Sequence, residues 1–275
     1  MDIDNNSRDN LSARVFATVE FLNDFTFTYN VSSDYVSSNI TAFATPIGGD
    51  ASGVNGRLTT TTTKANTIAH QQLLNWRRSF DNHTFAVLVG HESNDYSFNL
   101  LRAQKTQALL TDLAVLNNAT NVQYAQGYEK DYRVEGYFSR VNYDYKNKYF
   151  VNASFRRDGT SVFSPESRWG TFYGVGAAWD LTEEGFMDNM GFFNNLRLKA
   201  SFGQQGNDAL LYENNLTIVG DGDNRNYYAY VDQFNVVNAG GGVPGVSFVS
   251  LGNTALKWEN STNVNVGFDA RFLKN

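Results

Sequence analysis

A few groups of side chains in this 275-residue sequence are of the types that do chemistry. The histidines are His70, His83 and His91. A zinc site or a Ser-His-Asp triad needs such residues to converge with carboxylates or a hydroxyl. Nothing in their spacing suggests convergence. His83 is expected in a turn and His91 near a strand end, both in structural or solvent-facing roles. Asp221, Asp223 and Asn224 lie in DGDNRN, which has faint calcium-loop character. The Gly and Glu that an EF-hand would add are absent, so a hydrated loop is expected. Gly203, Gly206 and Asn207 in SFGQQGN do not match a phosphate-binding Walker loop, and no helix is expected to follow them. The chain has no cysteine, which excludes disulfide scaffolds, thiolate zinc sites and cysteine nucleophiles. No nucleophile-base pair is visible. No catalysis, metal or cofactor is therefore expected. One charged group remains, Arg156, Arg157 and Asp158 at a strand end. On a rim it would be solvated; in a polar interior it must be paired.

The elements that hold these residues announce themselves by alternation. In FTFTYNVS, Phe25, Phe27, Tyr29 and Val31 point one way, and Thr26, Thr28, Asn30 and Ser32 the other. Ala13 to Phe21 does the same, and only Asn23 and Asp24 separate the two runs, as in a tight hairpin. Further strands are expected near 66–80, 84–92, 132–146, 149–158, 169–180, 195–205 and 262–272, about nine in all. The pattern places Phe27 and Val266 on an apolar face, and Thr28 and Asn265 on a polar one.

Connections differ by side. Short ones fall at Asn23–Asp24, Asp81–His83 and Lys146–Lys148, with 181–194 on the same side. Long ones fall near 37–58, 106–131 and 206–255, and 159–168 is intermediate. Leu109, Leu113 and Leu116 have helical spacing within one long loop. Thr59 to Thr63 reads as an extended polar strand or loop end, and Gly240 to Gly242 as a flexible loop centre. Aromatics recur beside the short turns: Phe21, Phe25, Phe80, Phe85, Tyr145, Tyr149, Trp179 and Phe272. Short turns on one side, long loops on the other and a ring of aromatics at one level are the habits of an outer-membrane β-barrel.

Composition agrees. Aromatics make up 15% of the chain and charged residues 18%, which is too apolar for disorder. The net charge of -6, without a long basic run, argues against a nucleic-acid partner. No stretch of about 18 apolar residues offers a transmembrane helix, but a membrane strand needs only about 10 residues of alternating polarity. Met1 to Asn10 lacks the basic start and apolar core of a signal peptide. Either the N-terminus is missing or the membrane reading is wrong.

Residues 137–187 carry a resemblance. Arg140, Tyr143, Tyr145, Lys148 and Tyr149, then Arg157-Asp158-Gly159, Phe163, Arg168-Trp169-Gly170, Phe172, Trp179, Glu184 and Phe186-Met187, resemble a barrel segment of the SusC/RagA family of TonB-linked outer-membrane transporters. Leu196 to Gly203 with Gly206-Asn207 is similar to the family's next strand and loop. Trp258-Glu259 with Asn265, Gly267, Phe268 and Asp269 resembles the strand after that. Val162 stands where a basic residue is common, and Tyr173 where Pro is common. The resemblance implies an all-β fold: an antiparallel transmembrane β-barrel segment, residues 1–275, from a barrel of about 22 strands. It implies a plug domain and a TonB box, neither of which is recognisable in this chain. It also implies a SusD-like lipoprotein partner, the TonB complex, surrounding outer-membrane lipid, a glycan or peptide substrate, and the outer membrane of a Bacteroidota-like Gram-negative bacterium. Its motif residues, Arg140, Tyr143, Arg157, Asp158, Gly159, Arg168, Trp169, Gly206, Asn207, Trp258 and Glu259, are expected at the lumen or rim. A passive porin or adhesion barrel, a soluble β-sandwich binding module and, more weakly, an outer-membrane hydrolase are the alternatives.

Overall fold

The computed structural model describes residues 2–188, 192–211 and 225–272. Their strands are β1 (Ile3–Phe21), β2 (Phe25–Ala44), β3 (Arg57–Phe80), β4 (His83–Ala108), β5 (Ala119–Tyr145), β6 (Tyr149–Thr160), β7 (Trp169–Asp180), β8 (Phe193–Asn207), β9 (Gln233–Asn238), β10 (Pro244–Ser250) and β11 (Glu259–Phe272). Nine of them form one antiparallel sheet in the order β1-β2-β3-β4-β5-β6-β7-β8-β11, and β9 and β10 form a separate hairpin. The expected nine strands are these nine. They make a single layer, whereas a sandwich would need a second sheet packed face to face.

The short connections are hairpins. Leu22 and Asn23, and again Lys146 and Asn147, take positive φ, the backbone twist that lets strands turn back tightly. His83 is not in the turn: it begins β4, and Asp81 and Asn82 alone make the connection. The long connections are shorter than the expected 37–58 and 106–131. β2 runs to Ala44, β3 starts at Arg57, β4 runs to Ala108 and β5 starts at Ala119. The extra length mixes polar and apolar residues without sustained alternation, yet its backbone stays paired. The Thr59–Thr63 run lies within β3, opposite Ile40 and Asn39 among others, where β-branched side chains suit a strand. The leucine-spaced segment forms no α-helix. Asn118 holds it as a tight loop, accepting from Leu110 N at 2.8 Å and donating to the Leu110 and Leu113 carbonyls at 2.8 Å each. Gly240, Gly241 and Gly242, all with positive φ, form the turn between β9 and β10.

Cross-strand register separates two faces. Val19, Phe27, Leu74 and Val89 lie in one row, and Ala177, Ala200 and Val266 in another on the same face. Thr18 and Thr28 face the opposite way, as do Gly176, Ser201 and Asn265. Phe27 and Val266 thus share the apolar face, and Thr28 and Asn265 the polar face.

A belt of rings crosses the foot of the apolar face. It runs through Phe21, Phe25, Trp76, Phe85, Tyr143, His83, Tyr145, Tyr149 and Trp179, with centroid separations of 4.7–6.5 Å. It slips by one row of register between Trp76 and Phe85, and again between Tyr143 and Tyr145. Such an offset accompanies strands that tilt within a curved wall. A second, looser ring series lies six to ten residues higher, with Tyr137 between His91 and Trp169 at 4.7 and 6.1 Å. The strand between the two series is roughly 20–33 Å long.

The fold has no central core. Among the described residues, buried apolar side chains cluster in only two small groups, both at the long-loop end. Phe43, Leu58, Ala108 and Ala119 close the tips of β2 to β5. Val162, Phe163 and Tyr227 pack with Tyr132, Leu210, Leu256 and Trp258 beside the shorter β6 and β7. No helix among the described residues is long and apolar enough to cross a membrane.

Candidate functional site: the polar wall and its upper rim

The polar face carries a ladder of side chains from five strands, spanning β1 to β6. Arg14 donates to Asn30 Oδ1 (3.3 Å), Asn30 to Gln71 Oε1 (3.2 Å), and Gln71 to Glu92 Oε2 (3.5 Å). Arg156 then pairs with Glu92 on β4, and with Asp158 at 2.7 Å on its own strand. Glu92 and Asp158 flank Gly136 of β5 in one row. A Cβ at Gly136 would run into both Asp158 and Arg156, so the missing side chain is what lets the guanidinium reach both carboxylates. The same device recurs beside it, where the Phe138 ring covers Gly90.

Above the ladder, the connection between β8 and β11 folds back onto the wall. Tyr132 and Thr160 each donate to Asp208 Oδ2 at 2.8 Å. Burial, then the Asp208 carboxylate and the hydrogen bond to it, push the Tyr132 phenol well above its ordinary value, so it stays protonated and donates. The Tyr227 ring lies 5.2 Å from that of Tyr132, and Lys130 packs against Phe98, Tyr128 and Tyr227 at 5.7–6.0 Å.

Most residues of the resemblance meet at this rim. Trp258 donates from Nε1 to the Arg168 carbonyl (2.8 Å) and meets Phe172 and Phe163 edge-on at 5.5 and 5.9 Å. The Phe172 ring fills the space over Gly170 and Gly206. Asn207 donates to Glu259 (3.2 Å). On the other face the Trp169 ring lies over Gly159, with the Arg157 guanidinium 5.5 Å from its centroid. Arg157 and Asp158 therefore point to opposite sides of the wall. Two motif residues stand apart. Tyr143 belongs to the belt and bonds His83 Nδ1 at 2.8 Å. Arg140 faces a hollow of about 510 Å³ in the polar wall, lined also by Ser154, Arg156, Phe172 and Gly203, and it has no side-chain partner among the described residues.

The histidines lie on the apolar face, bonded to neighbouring side chains. His70 bonds Tyr29 Oη at 2.9 Å, and His91 bonds Gln72 at 2.6 Å and Glu135 at 3.2 Å. No group of three metal-binding side chains occurs among the described residues. Asp221, Asp223 and Asn224 lie outside the described residues.

Gly136 gives the wall a testable weak point. In the full-length protein, Gly136→Val should lower stability by roughly 1–3 kcal/mol through overpacking, with more lost if Arg156 leaves its carboxylates. Gly203→Ala, whose added Cβ meets nothing within 4 Å, should be near neutral. Urea titration of the two variants in vesicles checks this, and equal effects would refute it.

The arrangement is a wall with a polar side and an apolar side. The family described as TonB dependent receptor-like, beta-barrel matches residues 2–275. The chain belongs to that family. TonB-dependent receptor P39 of Formosa agariphila is 29% identical over 208 residues, covering 74% of this chain and 19% of that protein. TonB-dependent receptor SusC of Bacteroides thetaiotaomicron is 26% identical over 261 residues, covering 92% and 24%. Among solved structures, that of the RagAB peptide importer in its closed-closed state superposes on the whole chain, with a TM-score of 0.86 and 20% identity, over 29% of its own length. That likeness fixes the fold as part of such a barrel wall. The chain spans about a fifth to a quarter of the length of these curated relatives.

The ladder was not foreseen beyond Arg156 and Asp158. Glu92, Gly136, Gln71 and Asn30 are scattered over four strands, and only register unites them. Asp208 and Tyr132 escaped for the same reason, lying 76 positions apart.

Proposed function

We propose that this chain forms one stretch of the wall of a TonB-dependent importer in the outer membrane of a Bacteroidota-like bacterium. One observation carries the reading: a single antiparallel layer with an apolar face banded by rings and a polar, hydrogen-bonded opposite face. Soluble sheets bury their apolar face; a membrane barrel turns it to lipid and keeps its lumen polar. The work is binding and passage, with no bond made or broken. The long-loop end would capture a glycan oligomer or peptide beneath a SusD-like lipoprotein. Admission would follow when the TonB complex pulls on a plug carried elsewhere in such a protein. The charged ladder and the unpaired Arg140 suit a lumen surface that meets a plug or cargo, and the Trp258–Phe172 rim suits the fixing of the β8–β11 connection.

Topology supplies the test. In the full-length protein, epitope tags inserted at Gly48 and Gly241 should be reached by antibody on intact cells, and a tag at Asn82 only after the outer membrane is broken. Labelling of Asn82 but not Gly241 on intact cells would invert the assignment.

A further inference from the structure

Just above the upper ring series, on the apolar-face side of the wall, the polar tops of β3, β4 and β5 carry a cleft of about 620 Å³. Its floor is two rows of register, Asn66–Ser97–Asp131 and Ile68–Asp95–Arg133. Tyr228, Tyr230 and Arg168 fold over the edge of β5 to make its side. The Tyr228 hydroxyl accepts from Asp131 N at 3.0 Å, which pins that loop to the strand. The Arg168 carbonyl accepts from Trp258 and from Thr160 N, which holds its backbone.

Several groups turned into this cleft are unused. Asn66, Ser97, Tyr230 and the Asp131 carboxylate have no side-chain partner among the described residues, and Arg168 Nε is buried and unbonded. Arg133 is paired with Asp95. Two phenol rings, an amide, a hydroxyl, a carboxylate and a guanidinium form a mixed donor and acceptor set around one apolar residue, Ile68. Such a set suits a sugar ring: a carboxylate and an amide take adjacent hydroxyls, aromatic rings cover its apolar face, and a guanidinium takes an anionic substituent such as phosphate. An acyl chain would find little here.

Position chooses the source of that sugar. Glu135 shares a row with Trp169 of the upper ring series, and Arg133 and Asp131 lie two and four residues above it, roughly 7–13 Å farther along the tilted strand. That is the level where head groups, not hydrocarbon, meet the wall. The floor residues lie on the face opposite the polar ladder, and so away from a lumenal cargo path. We infer that it binds the phosphorylated saccharide head group of an outer-leaflet glycolipid. The inference rests on the membrane reading proposed above.

The test uses full-length protein extracted from outer membranes in mild detergent. Lipopolysaccharide retained per protein is measured by native mass spectrometry for wild type, Tyr230→Ala and Arg168→Gln, with a heat-modifiable band as the check of folding. Each folded variant should retain at least about five-fold less, as expected for a lost hydrogen bond or two. The delipidated soluble oligosaccharide of the same glycolipid should not compete at equal concentration. Equal retention by folded variants overturns the site, and full competition by the soluble sugar overturns the glycolipid as its ligand, leaving a free saccharide in its place. A folded, detergent-borne wild type without retained glycolipid overturns the site alone. A wild type that is water-soluble without detergent overturns the membrane reading, and the site with it. Should both variants fail to fold, Tyr230→Phe, which removes only the hydroxyl, gives the same readout.

Discussion

Arginine at position 175 should cost the full-length protein roughly 2–4 kcal/mol of stability in a bilayer, and arginine at position 201 much less. Val175 lies on the apolar face between Ala153 of β6 and Phe202 of β8. On its strand the lower belt is at Trp179, four residues below, and Trp169 stands six residues above, so Val175 is near mid-height. A guanidinium there has no water within easy reach, and snorkelling to either ring series must span several residues. Ser201 is at a similar height on the opposite face, beside Gly176 and Asn265, where the neighbours are polar and the lumen is wet. The measurement is urea-dependent unfolding from vesicles of fixed thickness. Equal losses at 175 and 201 would mean that the two faces do not meet different solvents, and the barrel assignment would fail.

The face assignment was legible in the sequence because a wall between lipid and water imposes a period of two wherever it crosses the hydrocarbon. Phe25 to Ser32 and Tyr149 to Arg156 alternate for that reason. The pattern fades where both faces are wet. Ser37 to Ala44 and Ala119 to Asp131 are strands without a sustained apolar period, so they read as loops, and Thr59 to Thr63 reads as an extended polar strand or loop end. Backbone pairing, which does not depend on which side chain is polar, carries them on. His83 was misplaced by similar logic: a polar residue after Asp81 and Asn82 looks like turn, yet its ring completes the belt between Tyr143 and Tyr145.

The candidate site was legible only in part. Arg157, Asp158, Gly159, Arg168, Trp169, Gly206, Asn207, Trp258 and Glu259 stood out as motifs, and the structure gathers them at one rim. Their gathering follows from β7, β8 and β11 being neighbours, with β11 reaching β8 across the 208–258 connection. The ladder through Glu92 and Gly136 had no such signal. A glycine in a strand and a glutamate 44 residues earlier become partners only when Glu92 faces Gly136 and Gly136 faces Asp158. Alternation tells which face a residue takes, but not its height relative to the next strand.

Produced alone behind a signal peptide, these 275 residues should yield no heat-modifiable, protease-resistant monomer and no substrate uptake, even beside a SusD-like partner. The sheet is open: β1 and β11 stand at opposite ends of the strand order. Nine strands that alternate in direction leave the first and last parallel, so they cannot close on each other as an antiparallel pair. Each edge then presents alternate N–H and C=O groups over the 19 residues of β1 and the 14 of β11. In hydrocarbon every such unpaired group costs several kcal/mol, which far exceeds the stability of an ordinary fold. Collapse in water is no refuge. The polar face holds Arg14, Glu92, Arg140, Arg156, Asp158, Arg197 and Lys199, and among the described residues buried apolar side chains cluster in only two small groups at one end. The chain should therefore aggregate, or stay in solution only with detergent. Seminative electrophoresis with and without boiling, and protease digestion of membranes, read the outcome directly. A folded monomer with transport activity would mean that nine strands can close, and that the wall described here is a complete small barrel rather than part of a large one.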